Sequence, residues 1–563
     1  MTKISRYVVY SLAICVLSLL CASPLAAQNA TAEIVGTVTD NSGAAVPNAH
    51  VTATHIATGV ARSMETNAAG AYAFTFVPIG TYSVTISADG FKTFTAPGVS
   101  IATGDIARVD VKIELGDMRE TVEVQAQAAA ALQTDSSSVT GYLTKQNVQD
   151  LPVNGRNITK LIQLLPGVNE GTTSNQTSGN RPGDKRQTSS ISVNGQSDVL
   201  NTQLIDGMDN NERMQGAMGI KPSIDAIEEV QVQTNLYSAA VSRTAGGVVN
   251  VITKSGTNNI HGSLFEYLRN SMFDAKDFFN VPQAGNPLAG VKPEYRLNQF
   301  GGSVGGPIRK DKTFFFADYE LLITRQGVTQ SVTVPTPCEL GRANCNGVTQ
   351  VGNFFDMLPG KVIYDPLGSG KPTPFPSNLL SSSRLNKVAQ NYAAMFPTST
   401  ACSGAAPTCQ FVNSPVQTQN FHMADIRMDH HFNERQYLFA RYSVNDVATF
   451  IPSGLPQVSV AGAKVWPGGS PLTIYPGTTL QRYQNIALSY THILRPTLLM
   501  QLSASYLRIM GDGKAADSGT NAATAFGWPG ADTDAILSSW TLTARRNCTI
   551  KAWPRIRNLR PPR

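Results

Sequence analysis

The connections between β-strands constrain this chain more than any other feature of its sequence. From about His261 onward, segments in which apolar and polar residues alternate are joined in turn by a few residues and by several dozen. Short connections at one end of a sheet and long ones at the other are typical of a transmembrane β-barrel. These connections therefore predict that the sheet is surrounded by lipid, that the protein lies in a membrane, and that the fold is a β-barrel.

The alternation is clear between Ala424 and His430. The apolar residues Ala424, Ile426 and Met428 fall on one face of a strand, and the charged residues Asp425, Arg427 and Asp429 fall on the other. Similar alternation occurs over 437–444, 485–491 and 500–506. A period of two with one apolar face indicates a strand that lies between an apolar and a polar environment.

A soluble antiparallel sandwich gives the same local pattern, so the connections have to decide. The short ones are Arg309–Lys312, Phe432–Arg435 and His492–Pro496; the long ones are Asn270–Glu294, Arg325–Asn420 and Asp446–Gln481. Three long loops in strict alternation with turns are unusual in a compact soluble domain. We therefore predict a mainly β protein with a partial antiparallel transmembrane barrel over residues 257–540.

The net charge gives no support for nucleic-acid binding. The chain has 45 Lys or Arg against 39 Asp or Glu, but seven of the basic residues lie in the acid-free stretch 541–563. The rest of the chain is close to neutral and has no basic stripe, so we predict no nucleic-acid partner.

The N-terminus has the pattern of a secretory signal peptide over residues 1–27. Lys3 and Arg6 precede an apolar run, and small residues at 26–27 offer a cleavage point. Cys21 allows a lipoprotein alternative, but Leu20 stands where a small residue is expected. The apolar run is too short to favour a membrane-spanning helix.

Four cysteines lie in the longest loop, as two pairs with equal spacing: Cys338 with Cys345, and Cys402 with Cys409. In an exported protein, local pairs of this kind favour disulfides. A four-cysteine zinc site is the alternative, although its ligands are usually closer together within each pair.

Residues 30–116 contain short strands separated by turn residues, which favours a β-sandwich. The segments GTVTDNSGAAVPNAHVT and TNAAGAYAFTFVPIGTYSVTISADGF resemble the carboxypeptidase regulatory-like domain. That resemblance implies a non-catalytic sandwich that supplies no zinc ligands.

Residues 139–256 carry a second set of motifs, in order: DLPVNGRN, LLPGV, QLIDGMDNN, IDAIEEVQVQT and AGGVVNVITKSGTN. They resemble the plug domain of TonB-dependent receptors, in the Oar-like group in which a regulatory-like domain precedes the plug. GSLFEYLRN and NQFGGSVGGPI resemble the first barrel strands of that group. The resemblance singles out these plug residues: Leu151, Pro152, Asn154, Gly155, Arg156, Asn157, Asp206 and Gly207.

The resemblance implies a cell outer-membrane receptor with periplasmic N-terminal domains and with outer-membrane lipid around its barrel. It also implies a TonB–ExbB–ExbD partner complex and no cofactor. The TonB box would be the extended part of the segment 117–138, namely Thr121, Val122, Glu123, Val124 and Gln125. β-Branched residues favour extension, and TonB would bind the box by adding it as a strand. A simple linker is the alternative for this segment.

The chain departs from the family at its end. Only seven or eight strands can be counted after residue 257, and a closed barrel of that size is filled by its own side chains. The stretch 541–563 ends with two prolines, which lack ladder donors. We therefore expect a truncated receptor with an anomalous basic tail, which would not form a working transporter alone because an open sheet edge in lipid is costly.

Catalytic and metal motifs give no support for an enzyme. The nucleophile-elbow pattern at Gly301–Gly305 lies in a strand rather than at a strand-to-helix turn. His431 and Glu434 lack a third zinc ligand, and Asp206, Asp209 and Glu212 lack the spacing of a full calcium loop.

We accordingly predict a TonB-dependent uptake receptor for a small ligand that the loops do not identify, such as a siderophore, glycan or peptide. A surface binding or adhesion protein is the alternative. A secreted carboxypeptidase is a third hypothesis, and it lacks its zinc site.

Overall fold

The structure is a computed structural model. It describes residues 32–116, 121–123, 138–171, 191–212, 217–237, 244–278, 280–282, 288–356, 361–365, 372–399, 402, 409–460, 463–465, 476–495, 498–516, 527 and 540–544. The predicted signal peptide lies outside these residues.

The N-terminal part is a β-sandwich. Its strands are β1 (Ala32–Asp40), β2 (His50–His55), β3 (Ala61–Glu65), β4 (Ala71–Val77), β5 (Gly80–Ser87), β6 (Thr93–Ile101), β7 (Ile106–Arg108), β8 (Val111–Ile113) and β9 (Thr121–Glu123). One sheet has the order β4-β1-β7, with β8 also on β1, and the other has the order β3-β2-β5-β6-β9. Alternate residues such as Ile34, Phe74 and Val84 fill the space between the sheets, which explains the period of two in the sequence.

A central α+β unit follows over residues 138–256. Its elements are β10 (Val139–Thr144), α1 (Lys145–Asp150), α2 (Ile158–Ile162), β11 (Val168–Glu170), β12 (Ile191–Val193), β13 (Thr202–Ile205), β14 (Met208–Asp209), β15 (Asn211–Glu212), β16 (Ala217–Met218), β17 (Ile227–Asn235) and β18 (Val248–Thr253), with short 3-10 turns at Asn154–Arg156, Asp198–Leu200 and Ile224–Ala226. The main sheet has the order β10-β17-β18-β13-β14. Its core includes Val230, Val249 and Leu161, all buried.

The helix α2 is shorter than the sequence pattern predicts. The sequence predicts a helix over residues 158–165, which Pro166 and Gly167 would end, but α2 ends at Ile162. The amides of Leu164 and Leu165 donate to the carbonyl oxygens three residues earlier, so the chain tightens into a turn before Pro166.

The remaining elements are β19 (His261–Asn270), β20 (Tyr295–Arg309), β21 (Thr313–Gly327), β22 (Gln330–Val334), β23 (Tyr364–Asp365), β24 (Thr373–Pro374), α3 (Lys387–Met395), β25 (Cys409–Asn413), β26 (Val416–Asn433), β27 (Gln436–Ile451), β28 (Val458–Val460), β29 (Ala463–Val465), β30 (Gly477–Arg495), β31 (Leu498–Ala515) and β32 (Trp540–Ala544), with 3-10 turns at Pro376–Asn378 and Ser382–Arg384. Eight of these strands form one antiparallel sheet in the order β19-β20-β21-β26-β27-β30-β31-β32. Over the described residues β19 and β32 do not pair, so the barrel is partial.

Two boundaries differ from the sequence prediction. The strand β32 crosses the predicted domain limit at 540, so residues 541–544 of the expected tail belong to the sheet. The strands β26, β27 and β30 extend into segments predicted as loops, and β31 continues to Ala515, past the predicted alternation. Burial still alternates in the added part of β27, but the buried residues Val447 and Ile451 are apolar and the outward Asp446 is charged. The residue types there therefore do not show the pattern that marked the rest.

The two faces of this sheet differ in polarity. On one face the apolar side chains are exposed, as for Leu264 (92%), Ile486 (55%) and Leu502 (59%). On the other face polar side chains such as Asp425 and Asn485 are buried, because the central unit covers them. The predicted separation of apolar and polar residues is therefore present, with the polar face turned towards the central unit.

The longest loop is itself folded. The strand β22 pairs with β25, and disulfides join Cys338 to Cys345 and Cys402 to Cys409. No helix in the described part of the chain has the length and apolar character needed to cross a membrane.

Candidate functional site

The candidate site is the polar contact surface between the central unit and the eight-stranded sheet, which we call the seam. Two clusters of charged residues form it, one around Asp206 and one around Arg156. Both residues belong to motifs that the sequence analysis singled out, and each reaches from the central unit to the barrel wall.

A tight turn positions Asp206. The turn joins β13 to β14 through Asp206 and Gly207, whose φ angles are +50° and +75°. Asp-Gly is a favoured pair for such hairpin turns because both positions need a left-handed conformation. The Asp206 carboxylate accepts hydrogen bonds from the backbone amide of Thr253 (2.9 Å) and from its hydroxyl (2.9 Å). Gly207 in turn donates its amide to Asn250 Oδ1 (3.0 Å), so the turn is fixed on both sides.

Two arginines of the barrel wall converge on Asp206. Arg427 Nη1 lies 3.2 Å from Asp206 Oδ1, and Arg441 Nε lies 2.8 Å from Oδ2 as an ion pair rather than an aligned hydrogen bond. Arg427 also pairs with its strand neighbour Asp429 at 2.9 Å. The Arg441 side chain is fully buried, and its other donors are satisfied by neutral oxygens of Ser443 (2.6 Å) and Asn485 (3.0 Å).

The second cluster is centred on Arg156 of the DLPVNGRN motif. The 3-10 turn Asn154–Arg156 places Gly155 at φ +69° and Arg156 at φ +49°, which aims the arginine at the barrel wall. Its guanidinium forms an ion pair with Asp225 and lies 3.7 Å from Glu320. It also lies 4.2 Å above the ring of Phe265, a distance at which a cation is attracted to the ring.

Hydrogen bonds from neutral donors also belong to the seam. Ser223 donates to Glu320 Oε2 (2.9 Å), and Ser255 donates to Asp429 Oδ2 (2.7 Å). The Asn445 side chain makes a reciprocal pair with the backbone of Lys221, at 2.7 and 3.0 Å. Each of these bonds joins the central unit to a barrel strand.

The seam can hold firmly and still separate. Removing one partner of a buried ion pair typically costs about 3–5 kcal/mol, because the other charge is left without compensation. Polar groups can, however, exchange their bonds for bonds to water when two surfaces move apart. A polar contact of this kind can hold the central unit against the barrel wall and can also be replaced by water if the two move apart.

The structure divides the predicted plug residues into two groups. Arg156 and Asp206 contact the barrel wall, whereas the others shape the chain around them: Leu151 and Pro152 follow α1, Asn154 and Gly155 form the turn, Asn157 caps α2 by accepting from the Thr159 amide (3.2 Å), and Gly207 completes the hairpin.

The seam also contains residues to which the sequence assigned no site role, among them Asp225, Glu320, Arg427, Arg441 and Asn445. Their signal was weak but present, since Glu320 and Asn445 occupy the inward positions of otherwise alternating strands.

The TonB-box prediction falls on a partly described segment. Residues Thr121–Glu123 form β9, which pairs in parallel with β6 of the sandwich at Thr93–Thr95. Val124 and Gln125 lie outside the described residues. The described part of the segment, Thr121–Glu123, is thus extended and paired within the sandwich.

The rejected motifs have structural positions of their own. The Gly301–Gly305 pattern lies inside β20, and His431 packs its ring against Tyr437. Within the described ranges no group of three or more His, Cys, Asp or Glu is placed to hold a metal ion.

Comparisons with known proteins identify two regions. The outer membrane beta barrel domain family matches residues 252–551, and the carboxypeptidase regulatory-like domain family matches residues 33–114.

Among characterised sequences, the TonB-dependent transporter Oar of Myxococcus xanthus is 28% identical over 317 residues, which is 56% of this chain and 29% of that protein. The probable TonB-dependent siderophore receptor PirA of Acinetobacter baumannii is 31% identical over 204 residues, which is 34% of this chain and 23% of that protein. The matched regions thus span less than a third of the length of these relatives.

Among solved structures, the outer membrane transporter YddB from Escherichia coli aligns with a TM-score of 0.41 and 11% identity, over 67% of this chain and 40% of that one.

Proposed function

Because the chain belongs to the outer membrane beta barrel domain family, we propose that it acts in TonB-coupled uptake of a ligand across the outer membrane. The central unit would be the plug, and the seam would hold it against the barrel wall at rest. The observation that carries this proposal is the seam itself, in which Asp206 pairs with Arg427 and Arg441 of the barrel strands and Arg156 lies 3.7 Å from Glu320 of β21.

Uptake through this arrangement requires the central unit to move. The inward face of the sheet is covered where the two meet, since Arg441 and Asn485 are buried beneath the central unit. Breaking several ion pairs needs work, and TonB would supply it by adding a strand to an extended N-terminal segment and pulling. The segment 121–125 precedes the central unit in sequence, so force on it would act on the plug first.

The names of the relatives point in the same direction. They are called transporters and receptors rather than enzymes, which supports a receptor without catalytic activity. The ligand class is not distinguished by the described loops, so siderophores, glycans and peptides are all candidates. Partnership with the TonB–ExbB–ExbD complex is proposed as a general property of TonB-dependent receptors.

The direct test is a pull-down of the detergent-solubilised chain with the C-terminal domain of TonB. The change Val122→Pro should abolish binding, because proline blocks strand addition within the box. The matched control is Ala129→Pro in the neighbouring linker, which should bind as the unchanged chain does. Equal binding by both variants would contradict the assignment of the box, and no binding by the unchanged chain would contradict TonB coupling.

Adhesion is the second candidate, and one observation favours it. The longest loop is folded and tied by two disulfides, which is sufficient for a binding surface without transport. An adhesin needs no TonB contact, so the same pull-down separates the two functions.

A further inference from the structure

Two loops of the N-terminal sandwich form hydrogen bonds with the central unit and the barrel within the part of the chain that the structure describes. The first, residues 55–60, meets the junction of the central unit and the short β20–β21 turn. Asn258 donates its backbone amide to the Ala57 carbonyl (3.0 Å) and its side-chain amide to the Thr58 carbonyl (2.7 Å). The Asp311 amide of the turn donates to Asn258 Oδ1 (2.9 Å), so one asparagine joins all three parts.

The second loop, residues 102–105, lies on the sheet of the central unit. The Thr103 amide donates to Glu229 Oε1 (3.1 Å), and Gln231 Nε2 donates to the Thr103 carbonyl (2.7 Å). The Tyr142 hydroxyl lies 3.1 Å from the same carbonyl and 3.0 Å from Asp105 Oδ1. These contacts bury the Glu229 side chain between the sandwich and the strand β17.

Between the two loops the sandwich covers a cavity of about 410 Å³. The cavity is lined by His55 and Tyr82 of the sandwich, Lys145 of the central unit, and His431 of the barrel wall. Asp206 and Arg427 of the seam also reach it. The sandwich therefore lies over the end of the seam that faces the short turns, which is the periplasmic end of such a barrel.

We propose that the sandwich is a detachable cap on the periplasmic end of the plug, and that the 102–105 loop makes its attachment sensitive to protons through Glu229. This inference rests on the proposed function, because a cap matters only if the plug moves. While the cap is docked, both loops hold the plug and the wall together. When it detaches, the seam loses this support and its periplasmic end opens to water.

The environment of Glu229 gives the direction of the effect. Burial raises the pKa of Glu229 to about 7, although the Thr103 amide stabilises the ionised form. The neighbouring charged groups are Asp105 of the sandwich and Glu228 of β17, which disfavour a further negative charge. Lys145 of α1 is paired with Glu228 (3.6 Å), and Tyr142 of β10 completes the surroundings.

Docking should accordingly weaken as the pH rises. When the cap is detached, Glu229 is exposed and ionised over this range, since the ordinary pKa of a glutamate is 4.5. Docking then takes up a proton below about pH 7 and none above it. Between pH 6 and pH 8 the docking equilibrium constant should fall roughly tenfold.

The test is hydrogen exchange of the peptide covering 99–107 in the full chain in detergent micelles. The protection of this peptide in the unchanged chain is divided by its protection in the Glu229→Gln variant at the same pH. This comparison cancels the intrinsic pH dependence of hydrogen exchange. The variant stands in for a protonated glutamate at every pH, so the protection of the unchanged chain relative to this variant should fall roughly tenfold between pH 6 and pH 8. Glu339→Gln is the matched control, because burial also raises the pKa of Glu339 in the distant long loop; it should leave the pH dependence intact.

Asn258→Ala provides a second measurement, because it removes the other docking loop without touching Glu229. It should reduce protection of the 99–107 peptide at both pH values. An equally exposed peptide in all variants would overturn the cap, and a pH effect that persists in Glu229→Gln would overturn the role of that residue. Both outcomes are read without transport or TonB binding, so they are distinct from a failure of the proposed function.

Discussion

The substitution Asp206→Asn should weaken the contact between the central unit and the barrel wall strongly, although it leaves the size of the side chain almost unchanged. Asparagine keeps an acceptor for the Thr253 amide but removes the charge that faces Arg427 and Arg441. Arg427 retains the ion pair with Asp429, whereas Arg441 loses its ion pair and keeps the oxygens of Ser443 and Asn485 and the electrostatic attraction of Asp425. A buried charge left in this way costs about 3–5 kcal/mol.

That cost can be read directly at the seam. The Lys221 amide donates across it to Asn445 Oδ1, so its hydrogen exchange reports separation of the central unit from the wall. At about 1.4 kcal/mol per factor of ten, exchange at Lys221 should accelerate by roughly a hundredfold to a few thousandfold.

The matched control is Asp446→Asn. Asp446 also pairs with an arginine of a neighbouring strand, Arg482, but both side chains are substantially exposed, at 38% and 54%. Exposed pairs contribute about 0–1 kcal/mol, so the change at Lys221 should stay below roughly fivefold. Similar acceleration in the two variants would refute the argument that burial gives the seam its strength.

Three further predictions follow from other parts of the molecule. Ile486→Arg, on the exposed apolar face, should destabilise folding into lipid bilayers by about 2–4 kcal/mol, whereas Leu494→Arg near the strand end should cost about 0–1 kcal/mol; equal costs in a urea titration would argue against a lipid-facing surface. Replacing Cys338 and Cys345 together by alanine should lower the stability of the long loop by about 2 kcal/mol, seen as faster proteolysis within 328–415, with no change in exchange at Lys221. Burial lowers the pKa of His55 to about 4, so its contribution to sandwich stability is present above about pH 6.5 and is lost as the pH falls towards 4. The ring of Tyr82 lies 5.0 Å from that of His55, so the near-ultraviolet circular dichroism of Tyr82 should change in acid. The substitution His55→Gln should remove this acid sensitivity.

The strands were easiest to predict from the sequence where apolar outward residues alternate with polar inward residues. Ile426 and Ile486 alternate with Asp425 and Asn485 because one face of each strand meets an apolar solvent. Past Val444, the part of β27 that was predicted as a loop has the opposite arrangement: Val447 and Ile451 are apolar and buried, and Asp446 is charged and faces outward. The strand is thus readable from the sequence only where the buried face is the polar one.

The seam was harder to predict because its partners are far apart in sequence. Asp206 lies in the QLIDGMDNN motif and Arg441 lies in the alternating segment 437–444, but nothing local indicates that they meet. Glu229 lies in the IDAIEEVQVQT motif, but nothing there indicates its burial, since a glutamate in a strand is ordinarily solvated. Its burial depends on the sandwich, and no periodic pattern in the sequence indicates that the sandwich docks there.

The barrel fold, the seam and the proposed function all require that only the apolar face of the eight-stranded sheet meets lipid. The direct measurement is labelling of the chain in bilayers with a photoreactive lipid, followed by mapping of the modified residues. Labels should fall on outward positions such as Leu264, Ile426 and Ile486 and spare the inward Asp425 and Asn485. Labels on both faces, or a chain that stays in water without binding the bilayer, would contradict it.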